Sequence, residues 1–317
     1  MKKISVIVTV YNKEPYLKKC LDSILVGLSD AHELIIVDDC STDNSKKILE
    51  QYKDKNIKKI YNEVNKGVSK SRNIAIQNST GEYFVQIDAD DYIAPDYFER
   101  LIKLIKENKE PDLISIYLNK VDKDGNLIKK CDKPIFDKTQ GFEALTKFII
   151  SKATFVHPPG FVYKTSYWKD KNFNYLTDTH HEDYGLTPLV IMKAESVVST
   201  DYVAYFIVAS ENSIMRTNND LKKEERKSID LIGNTRKLLD EFSSKDIPKK
   251  YRRIFCNFAV DTAIRKKNDL PSSLQKKYNN LLKKEKLYKY IYISSVKDLI
   301  KKVIIFINFD LYLKLTR

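Results

Sequence analysis

The segment Asp88-Ala89-Asp90-Asp91 places three carboxylates within four residues, separated by two residues from the preceding apolar run Tyr83-Phe84-Val85. Carboxylates packed this closely repel one another unless a cation lies between them. An apolar run followed by acids is typical of a buried strand that ends at the ligand-binding edge of an open α/β sheet. We therefore predict a site for Mg²⁺ or Mn²⁺ bound together with a phosphorylated substrate. The alternative is a structural role, in which Asp90 or Asp91 caps a helix that begins near Pro95.

Two more polar clusters follow apolar runs earlier in the chain. Asn12 follows the run Ser5 to Val10, and Asp38-Asp39 follows the run Glu33 to Val37. Segments with apolar residues at helical spacing separate these runs, which predicts a mostly parallel sheet flanked by helices. Because the carboxyl ends of parallel strands lie at one edge of a sheet, we expect the three polar clusters to meet there.

The α/β pattern extends to residue 217, and a helical pattern follows it. We predict strands over 5–10, 33–37, 57–62, 83–87, 113–118 and 197–206, and helices over 15–25, 46–52, 68–77, 139–150 and 186–192. The helices predicted after this region cover 221–242, 251–265, 272–289 and 296–315. The chain is therefore predicted to form an α/β domain at 1–217 and a helical domain at 218–317.

The sequence lacks the glycine-rich loops that commonly hold phosphates. It has neither GxGxxG after the first predicted strand nor GxxxxGK[ST]. A metal on Asp90 is the natural substitute, because a divalent ion can bridge a diphosphate to a carboxylate. A nucleotidyltransferase is the alternative enzyme, but it would need a loop rich in glycine and basic residues after the first strand. That loop reads Asn12-Lys13-Glu14-Pro15, which argues against the alternative.

The net charge of +13 is unevenly distributed along the chain. Residues 1–217 hold 31 Lys and Arg against 31 Asp and Glu, whereas residues 218–317 hold 25 against 12. Such asymmetry is typical of a surface that meets a polyanion or an anionic membrane. A nucleic-acid-binding protein is one alternative, but no nucleic-acid-reading motif is recognisable, so we expect no nucleic acid partner. The basic, amphipathic segment 296–317 indicates either membrane-surface contact or a helix that packs or forms a homodimer.

The cysteines and apolar runs favour a cytoplasmic protein. The four cysteines form no CxxC pair, which indicates a reducing compartment. No run of about 18 uncharged apolar residues predicts a transmembrane helix. The run Val6 to Val10 predicts a buried strand rather than a secretory signal. We expect a cytoplasmic location, with 296–317 as the segment that would contact the inner face of the plasma membrane.

In order and spacing, four motifs of this chain resemble the nucleotide-sugar-binding half of family 2 glycosyltransferases, which have the GT-A fold. The motifs are Ser5 to Asn12, Val37 to Asp43, Asn65-Lys66-Gly67 with Arg72-Asn73, and Asp88 to Asp91. His181-Glu182-Asp183 extends the resemblance, because such enzymes carry a Glu-Asp pair at this distance. The resemblance implies that 1–110 binds the nucleotide sugar and 111–217 binds the acceptor.

The resemblance also implies roles at the donor site. Asp39 would accept the uracil N3–H, and Arg72 would lie near the diphosphate, whose oxygens suit a guanidinium. Asp88 would bind the ribose hydroxyls, and Asp90 would ligate the metal. The residues implied around the nucleotide sugar are Thr9, Val10, Tyr11, Asn12, Asp39, Asn65, Arg72, Asp88, Ala89 and Asp90.

At the acceptor, the resemblance implies that Asp183 is the general base and that Glu182 is the second candidate. Inversion requires the acceptor hydroxyl to attack opposite the departing diphosphate, and a carboxylate within hydrogen-bond reach takes its proton. The alternative is that both acids only begin the helix that follows. The adjacent His180 and His181 cannot easily share one ion, so we expect them, with Asp91, to line an acceptor pocket.

The implied reaction is the metal-assisted, inverting transfer of a hexose or N-acetylhexosamine from a UDP-sugar. Mn²⁺ or Mg²⁺ would be the cofactor. The acceptor would be a hydroxyl of a cell-surface glycan, a teichoic acid or a lipid-linked precursor. The basic residues at 218–317 would suit an anionic polymer of this kind.

Overall fold

The computed structural model of the protein describes residues 3–209, 220–293, 299–300 and 302–304. The chain divides into two units. The first consists of Met1–Asp178 and Leu186–Ser213, and the second of Thr179–Gly185 and Ile214–Arg317. The segment Thr179–Gly185 is therefore grouped with the C-terminal helices, although it lies inside the region predicted as the α/β domain.

The first unit is built on a ten-stranded sheet that contains all six predicted strands. The strands are β1 Ile4–Val10, β2 His32–Asp38, β3 Ile57–Tyr61, β4 Tyr83–Asp88, β5 Tyr92–Ile93, β6 Leu113–Val121, β7 Leu127–Lys130, β8 Phe136–Thr139, β9 Phe161–Lys164 and β10 Val197–Val208. The main path of the sheet runs β3-β2-β1-β4-β9-β6-β10-β5, with β7 paired to β6 and β8 paired to β10.

The two halves of this sheet differ in strand direction. Strands β3, β2, β1 and β4 are all parallel, as the strand–helix alternation predicts. Strand β9 runs antiparallel to both of its neighbours, β4 and β6, and so joins the parallel block to the remainder. Strands β6 and β10 are parallel to each other. The prediction of an α/β fold is confirmed, and its parallel character is concentrated in the N-terminal half.

Within the described residues the predicted helices are present with shifted ends, and a short helix over 165–170 was not predicted. The helices are α1 Glu14–Leu25, α2 Ser45–Gln51, α3 Val68–Gln77, α4 Tyr97–Glu107, α5 Gly141–Ile150, α6 Thr165–Asp170, α7 Glu182–Met192, α8 Leu221–Phe242, α9 Lys249–Lys266 and α10 Ser272–Glu285. Helix α7 begins at Glu182, earlier than predicted, so that Glu182 and Asp183 form its first turn. Helix α10 ends earlier than predicted because Lys286 has a left-handed backbone conformation, with φ 52°.

The core of the first unit explains why the sequences of its strands are continuous apolar runs. Strand β1 is buried along nearly its whole length, as expected for a parallel strand covered on both faces. Helix α1 buries Leu17, Leu21 and Ile24, which share one face at helical spacing. Helix α4 buries Leu101 in the same cluster. These contacts fix the parallel strands and hence the positions of their carboxyl ends.

Register brings the three polar clusters together, as the sequence predicts. Thr9 of β1 lies opposite Asp88 of β4, and Val10 lies opposite Asp38 of β2. The ends of β2, β1 and β4 therefore lie side by side at one edge of the sheet. The side chain of Asn12 links two of them, since its Oδ1 accepts a hydrogen bond of 2.8 Å from the Thr42 backbone N–H.

The second unit contains α8, α9 and α10 and has a core of its own. Helix α8 is capped by Asp220, whose Oδ1 accepts hydrogen bonds from the backbone of Lys222 and Lys223. The rings of Phe242 and Phe255 lie 5.3 Å apart in its core. In the predicted helix 296–315, the described positions 299–300 and 302–304 are helical, and the others lie outside the described residues. Within the described ranges, none of the helices combines the length and hydropathy needed to span a bilayer.

Gly141, at the start of α5, is required by close packing. A Cβ atom built there would lie 2.2 Å from the Ile191 carbonyl oxygen and 2.5 Å from that of Met192. We expect Gly141→Ala to destabilise the first unit by about 3 kcal/mol, because backbone atoms cannot move aside cheaply. Urea unfolding followed by the fluorescence of Trp168, the single tryptophan, measures this.

Gly233 provides the opposite case, since a Cβ there meets nothing within 4 Å. We expect Gly233→Ala in α8 to leave stability unchanged or raise it by up to about 1 kcal/mol. Equal unfolding midpoints for the wild type and Gly141→Ala would contradict the packing argument.

Candidate active site

Asp88 ends strand β4 and is paired with Arg72 from α3. The guanidinium Nη2 lies 3.1 Å from Asp88 Oδ1, and the same guanidinium lies over the ring of Tyr175, 5.4 Å from its centroid. Burial by itself would raise the pKa of Asp88, but the positive charge of Arg72 and the His157 ring outweigh it and hold the pKa below its ordinary value. Asp88 is therefore an ionised acceptor at neutral pH.

Asp90 forms an ion pair with Lys13, which lies in the loop after β1. The two side chains are 17% and 21% exposed, respectively. The pair therefore lies at the rim of the sheet edge, where ligands can reach it. Lys13 compensates the charge of the carboxylate that the sequence assigns to the metal.

Asp91 has a different environment, because it is 5% exposed and both of its carboxylate oxygens are bonded to β10. Tyr205 Oη donates to Oδ2 at 2.6 Å, and the Val208 backbone N–H donates to Oδ1 at 2.8 Å. Burial, reinforced by the negative charge of Asp88, raises the pKa of Asp91 to about 8. Asp91 thus joins the acidic segment to β10, which favours a positioning role over the predicted acceptor-pocket role.

A second group of possible metal ligands lies deeper at the same edge. Asp88, Asp91 and His157 each offer one ligand atom, and these atoms all lie within 4.8 Å of one another. The His157 Nε2 atom is buried and has no hydrogen-bond partner among the described residues, and burial lowers the pKa of its ring. Carboxylate oxygens are the ligands that Mg²⁺ and Mn²⁺ prefer. The donor chemistry of this edge therefore fits the predicted cofactor.

Asp39 anchors the loop that leads into α3. Its Oδ1 accepts hydrogen bonds from Asn62 Nδ2 at 2.7 Å and from the Lys66 backbone N–H at 2.9 Å. Its Oδ2 accepts one from the Gly67 backbone N–H at 2.8 Å, and Asp39 is 3% exposed. Gly67 has φ 83°, a conformation that favours glycine. A carboxylate has about four lone-pair sites, so one acceptor position is left at Asp39.

The other predicted donor-site residues differ in how far they reach solvent. Tyr11 is 45% exposed, and Asn12 and Asn65 are also exposed. Val10 and Ala89 are buried, at 1% and 2% exposure; Thr9 is half-buried. The side chains of Val10 and Ala89 are apolar and buried, so these two residues would contribute to a ligand site through their backbone.

Glu182 and Asp183 lie in the second unit, in the segment that leads into α7. Both acids belong to the first turn of the helix, and Asp183 Oδ1 accepts a hydrogen bond of 2.7 Å from the Tyr184 backbone N–H. This matches the structural alternative and is also compatible with a catalytic carboxylate. His180 Nδ1 lies 2.8 Å from Asp230 Oδ2 of α8, and burial lowers the pKa of His181 to about 4.

Sequence reasoning missed three side chains at the sheet edge. Lys13, His157 and Tyr205 contact or neighbour the acidic segment, but each is distant from it in sequence. Lys13 directly follows the Asn12 cluster, which was the one available signal. His157 and Tyr205 carry no local pattern that separates them from ordinary core residues.

Two solved structures share this fold. The chain superposes on a crystal structure of Staphylococcus aureus TarS in complex with UDP-GlcNAc with a TM-score of 0.58 and 22% identity, over 91% of this chain and 89% of that one. It superposes on the mannosyltransferase PcManGT of Pyrobaculum calidifontis, in complex with GDP-Man and Mn²⁺, with a TM-score of 0.54 and 16% identity, over 95% and 87%. The architecture is therefore that of a GT-A protein.

The sequence matches agree with the fold. Residues 5–170 match the family model described as Glycosyl transferase family 2. The chain therefore belongs to glycosyl transferase family 2, which confirms the predicted membership. It is 34% identical over 220 residues to the poly(ribitol-phosphate) beta-glucosyltransferase of Bacillus spizizenii, a match that covers 67% of this chain and 33% of that relative. The chain thus spans about a third of that relative's length.

The raised pKa of Asp91 predicts a pH-dependent stability. The folded protein holds this proton up to about pH 8, whereas an unfolded Asp releases it near pH 4. The stabilising contribution is complete below about pH 4 and is lost as the pH rises through about 8. In metal-free protein, we expect the wild type to lose up to about 1.4 kcal/mol per pH unit relative to Asp91→Asn over this window.

Urea unfolding between pH 5 and pH 8, followed by Trp168 fluorescence, measures the difference. The exposed Asp137 provides the matched control, since Asp137→Asn should parallel the wild type at every pH. Parallel curves for the wild type and Asp91→Asn would contradict the assignment of a bound proton to Asp91.

Proposed function

We propose that this protein is an inverting glycosyltransferase that moves a sugar from a UDP-sugar to a hydroxyl of a cell-surface glycan of the teichoic acid type. The observation that carries the proposal is the edge at which β2, β1 and β4 end, where Asp39, Asp88 and Asp90 converge in a family 2 domain. The names of its relatives support the substrate class, since one acts on poly(ribitol-phosphate) and another was solved with UDP-GlcNAc.

The uracil base would be read at Asp39. The carboxylate is held by Asn62 and by the backbone of Lys66 and Gly67, so it cannot rotate away from its open acceptor position. That position suits the N3–H of uracil, which is a single donor. Tyr11, exposed at the end of β1, would cover the face of the base.

The ribose and diphosphate would lie over the Asp88–Arg72 pair. Asp88 is ionised and can accept from the ribose hydroxyls. The guanidinium of Arg72 has several N–H donors, of which one is directed at Asp88 Oδ1. A planar fork of this kind suits phosphate oxygens.

Asp90 would hold the metal ion, with Mn²⁺ or Mg²⁺ as the cofactor. It is more accessible than Asp91, whose oxygens are both bonded to β10. A divalent ion bound here would stabilise the negative charge that develops on the departing diphosphate. Lys13 would have to leave Asp90 for an ion to bind there, and its ammonium group would then suit phosphate oxygens.

Asp183 would act as the general base. Its carboxylate would accept the proton of the acceptor hydroxyl as that oxygen attacks the anomeric carbon on the face opposite the diphosphate. Glu182, the preceding residue, would orient the acceptor by hydrogen bonding to a second hydroxyl. Lys and Arg, which dominate the charge of residues 218–317, would favour an anionic polymer acceptor.

The reaction is tested with UDP-glucose and UDP-GlcNAc as donors, poly(ribitol-phosphate) as acceptor and Mn²⁺ in the buffer. We expect release of UDP that depends on both the acceptor and the metal. If neither donor gives acceptor-dependent release and UDP with Mn²⁺ does not raise the melting temperature, the proposed function is wrong.

The metal assignment is tested by a pair of variants. Asp90→Asn should weaken Mn²⁺-dependent UDP binding at least tenfold, because an ionised ligand is lost. Lys13→Gln should instead strengthen Mn²⁺ binding by about fivefold, because removal of a competing ion pair is worth about 1 kcal/mol. Titration calorimetry with and without Mn²⁺ measures both effects. Unchanged affinity in Asp90→Asn would remove this residue from the metal site.

The base assignment is tested by Asp183→Asn. We expect donor affinity to stay within twofold of the wild type, while turnover falls by about 10² to 10⁴. Glu182→Gln, as the neighbouring control, should lose less turnover and raise the acceptor KM instead. Normal turnover in Asp183→Asn would transfer the role to another residue.

A further inference from the structure

The segment Thr179–Gly185, which contains the proposed base, is fixed by side chains of helix α8. Both belong to the second unit of the protein. The segment has no regular structure until α7 begins at Glu182, so its conformation must be set by other contacts. Those contacts come from two successive turns of α8, at Asp230 and Asn234.

Asn234 holds the backbone of this segment from one side. Its Nδ2 donates to the carbonyl oxygens of His180, at 2.9 Å, and His181, at 3.0 Å. Asn234 is 2% exposed, so water cannot replace these bonds easily. Gly185 packs directly on the same amide, because a Cβ built there would lie 3.1 Å from Asn234 Cγ.

Asp230 holds the segment one turn earlier on the helix. Its Oδ2 accepts from the His180 backbone N–H at 3.0 Å and lies 2.8 Å from His180 Nδ1. Arg226 Nε in turn lies 3.0 Å from Asp230 Oδ1. Hydrogen bonding from His180 and Arg226 outweighs the effect of burial and lowers the pKa of Asp230, so its carboxylate is a charged, oriented acceptor.

The backbone between these two clamps is strained at one position. His181 has φ 59°, a left-handed conformation that is uncommon for a residue with a side chain. On the C-terminal side of the acids, Tyr184 Oη lies 3.3 Å from both Thr235 Oγ1 and the Ala259 carbonyl oxygen. Contacts to α8 therefore flank Glu182 and Asp183 on both sides and hold His181 in an otherwise unfavourable conformation.

We propose that Asn234 and Asp230 are positioning residues for the general base: they act on catalysis by fixing the backbone that carries Asp183. The inference rests on the proposed function, because it takes Asp183 as the base. A displacement of about 1 Å in a catalytic group can cost about 10² in rate, and buried hydrogen bonds from a rigid helix limit such displacement. The C-terminal helices are in this sense part of the catalytic apparatus.

The chain offers a matched control in Asn257 of α9. Its side chain also clamps a backbone, donating to the Tyr292 carbonyl at 2.9 Å and accepting from the Tyr292 N–H at 2.8 Å. Asn257→Ala therefore removes the same chemistry from the same unit without touching Thr179–Gly185. Any effect that is specific to Asn234→Ala reports on the clamped segment rather than on the loss of an amide that is bonded to backbone.

Hydrogen exchange tests the structural part without any substrate. We expect Asn234→Ala to speed amide exchange in peptides covering 179–185 at least tenfold, while Asn257→Ala leaves them unchanged and affects peptides near 292. Asp230→Asn, which keeps the shape of the side chain, should give a smaller change in the same direction and serves if Asn234→Ala does not fold. Unaltered exchange at 179–185 in both α8 variants would overturn the proposal.

Kinetics test the catalytic part with UDP-glucose or UDP-GlcNAc and poly(ribitol-phosphate). We expect Asn234→Ala to lower kcat by about 10- to 100-fold with the donor KM within twofold of the wild type, whereas Asn257→Ala keeps kcat within twofold. In the double variant with Asp183→Asn, turnover should equal that of Asp183→Asn alone, because Asn234 acts only through this carboxylate. Multiplicative losses would overturn the proposal.

The kinetic outcomes distinguish the role of Asp183 as the base from the role of Asn234 as a positioning residue. Normal turnover in Asp183→Asn contradicts the base assignment in the proposed function. An inactive Asp183→Asn together with equal kcat values for Asn234→Ala and Asn257→Ala contradicts only the positioning role.

Discussion

Three carboxylates within four residues have to be compensated at the end of one strand, and the remainder of this sheet edge is arranged around this requirement. Each carboxylate is compensated in a different way. Asp88 has the guanidinium of Arg72, Asp90 has the ammonium of Lys13, and Asp91 keeps a proton because its pKa is raised to about 8. Isolated charges at this spacing would repel strongly in a medium of low dielectric constant. Asp90 is paired with a side chain at the rim of the sheet edge, whereas both oxygens of Asp91 are bonded to β10, and this difference is the basis for proposing Asp90 as the metal ligand.

The three aspartates of the acidic segment therefore have different environments. The buried member, Asp91, binds Tyr205 and Val208 and so ties the parallel block of the sheet to β10. The paired member, Asp88, remains ionised and keeps Arg72 in place. Asp39 also has a structural role, because its carboxylate anchors the loop before α3 through three hydrogen bonds.

In the second unit, it is backbone groups that are held in place by distant side chains. The segment before α7 carries two acids and two histidines, and it takes its conformation from Asp230 and Asn234 of α8. The segment belongs to the same unit as the C-terminal helices, which is why we propose that those helices position the base. Family membership rests on residues 5–170, so neither this segment nor α8 lies in the region that defines the family.

The strands of the parallel block, the helices between them and the convergence of the three polar clusters were predictable from sequence, because apolar runs and helical spacing are local properties and parallel strands share one edge. Membership of glycosyl transferase family 2 was likewise predictable, because the motifs that indicate it are local. The partners of those motifs were not predictable. Lys13 and Asp90 are 77 residues apart, Asp91 and Tyr205 are 114 apart, and His180 and Asp230 are 50 apart. Protonation and charge pairing depend on burial and on which distant side chains meet, and only the packed chain decides both.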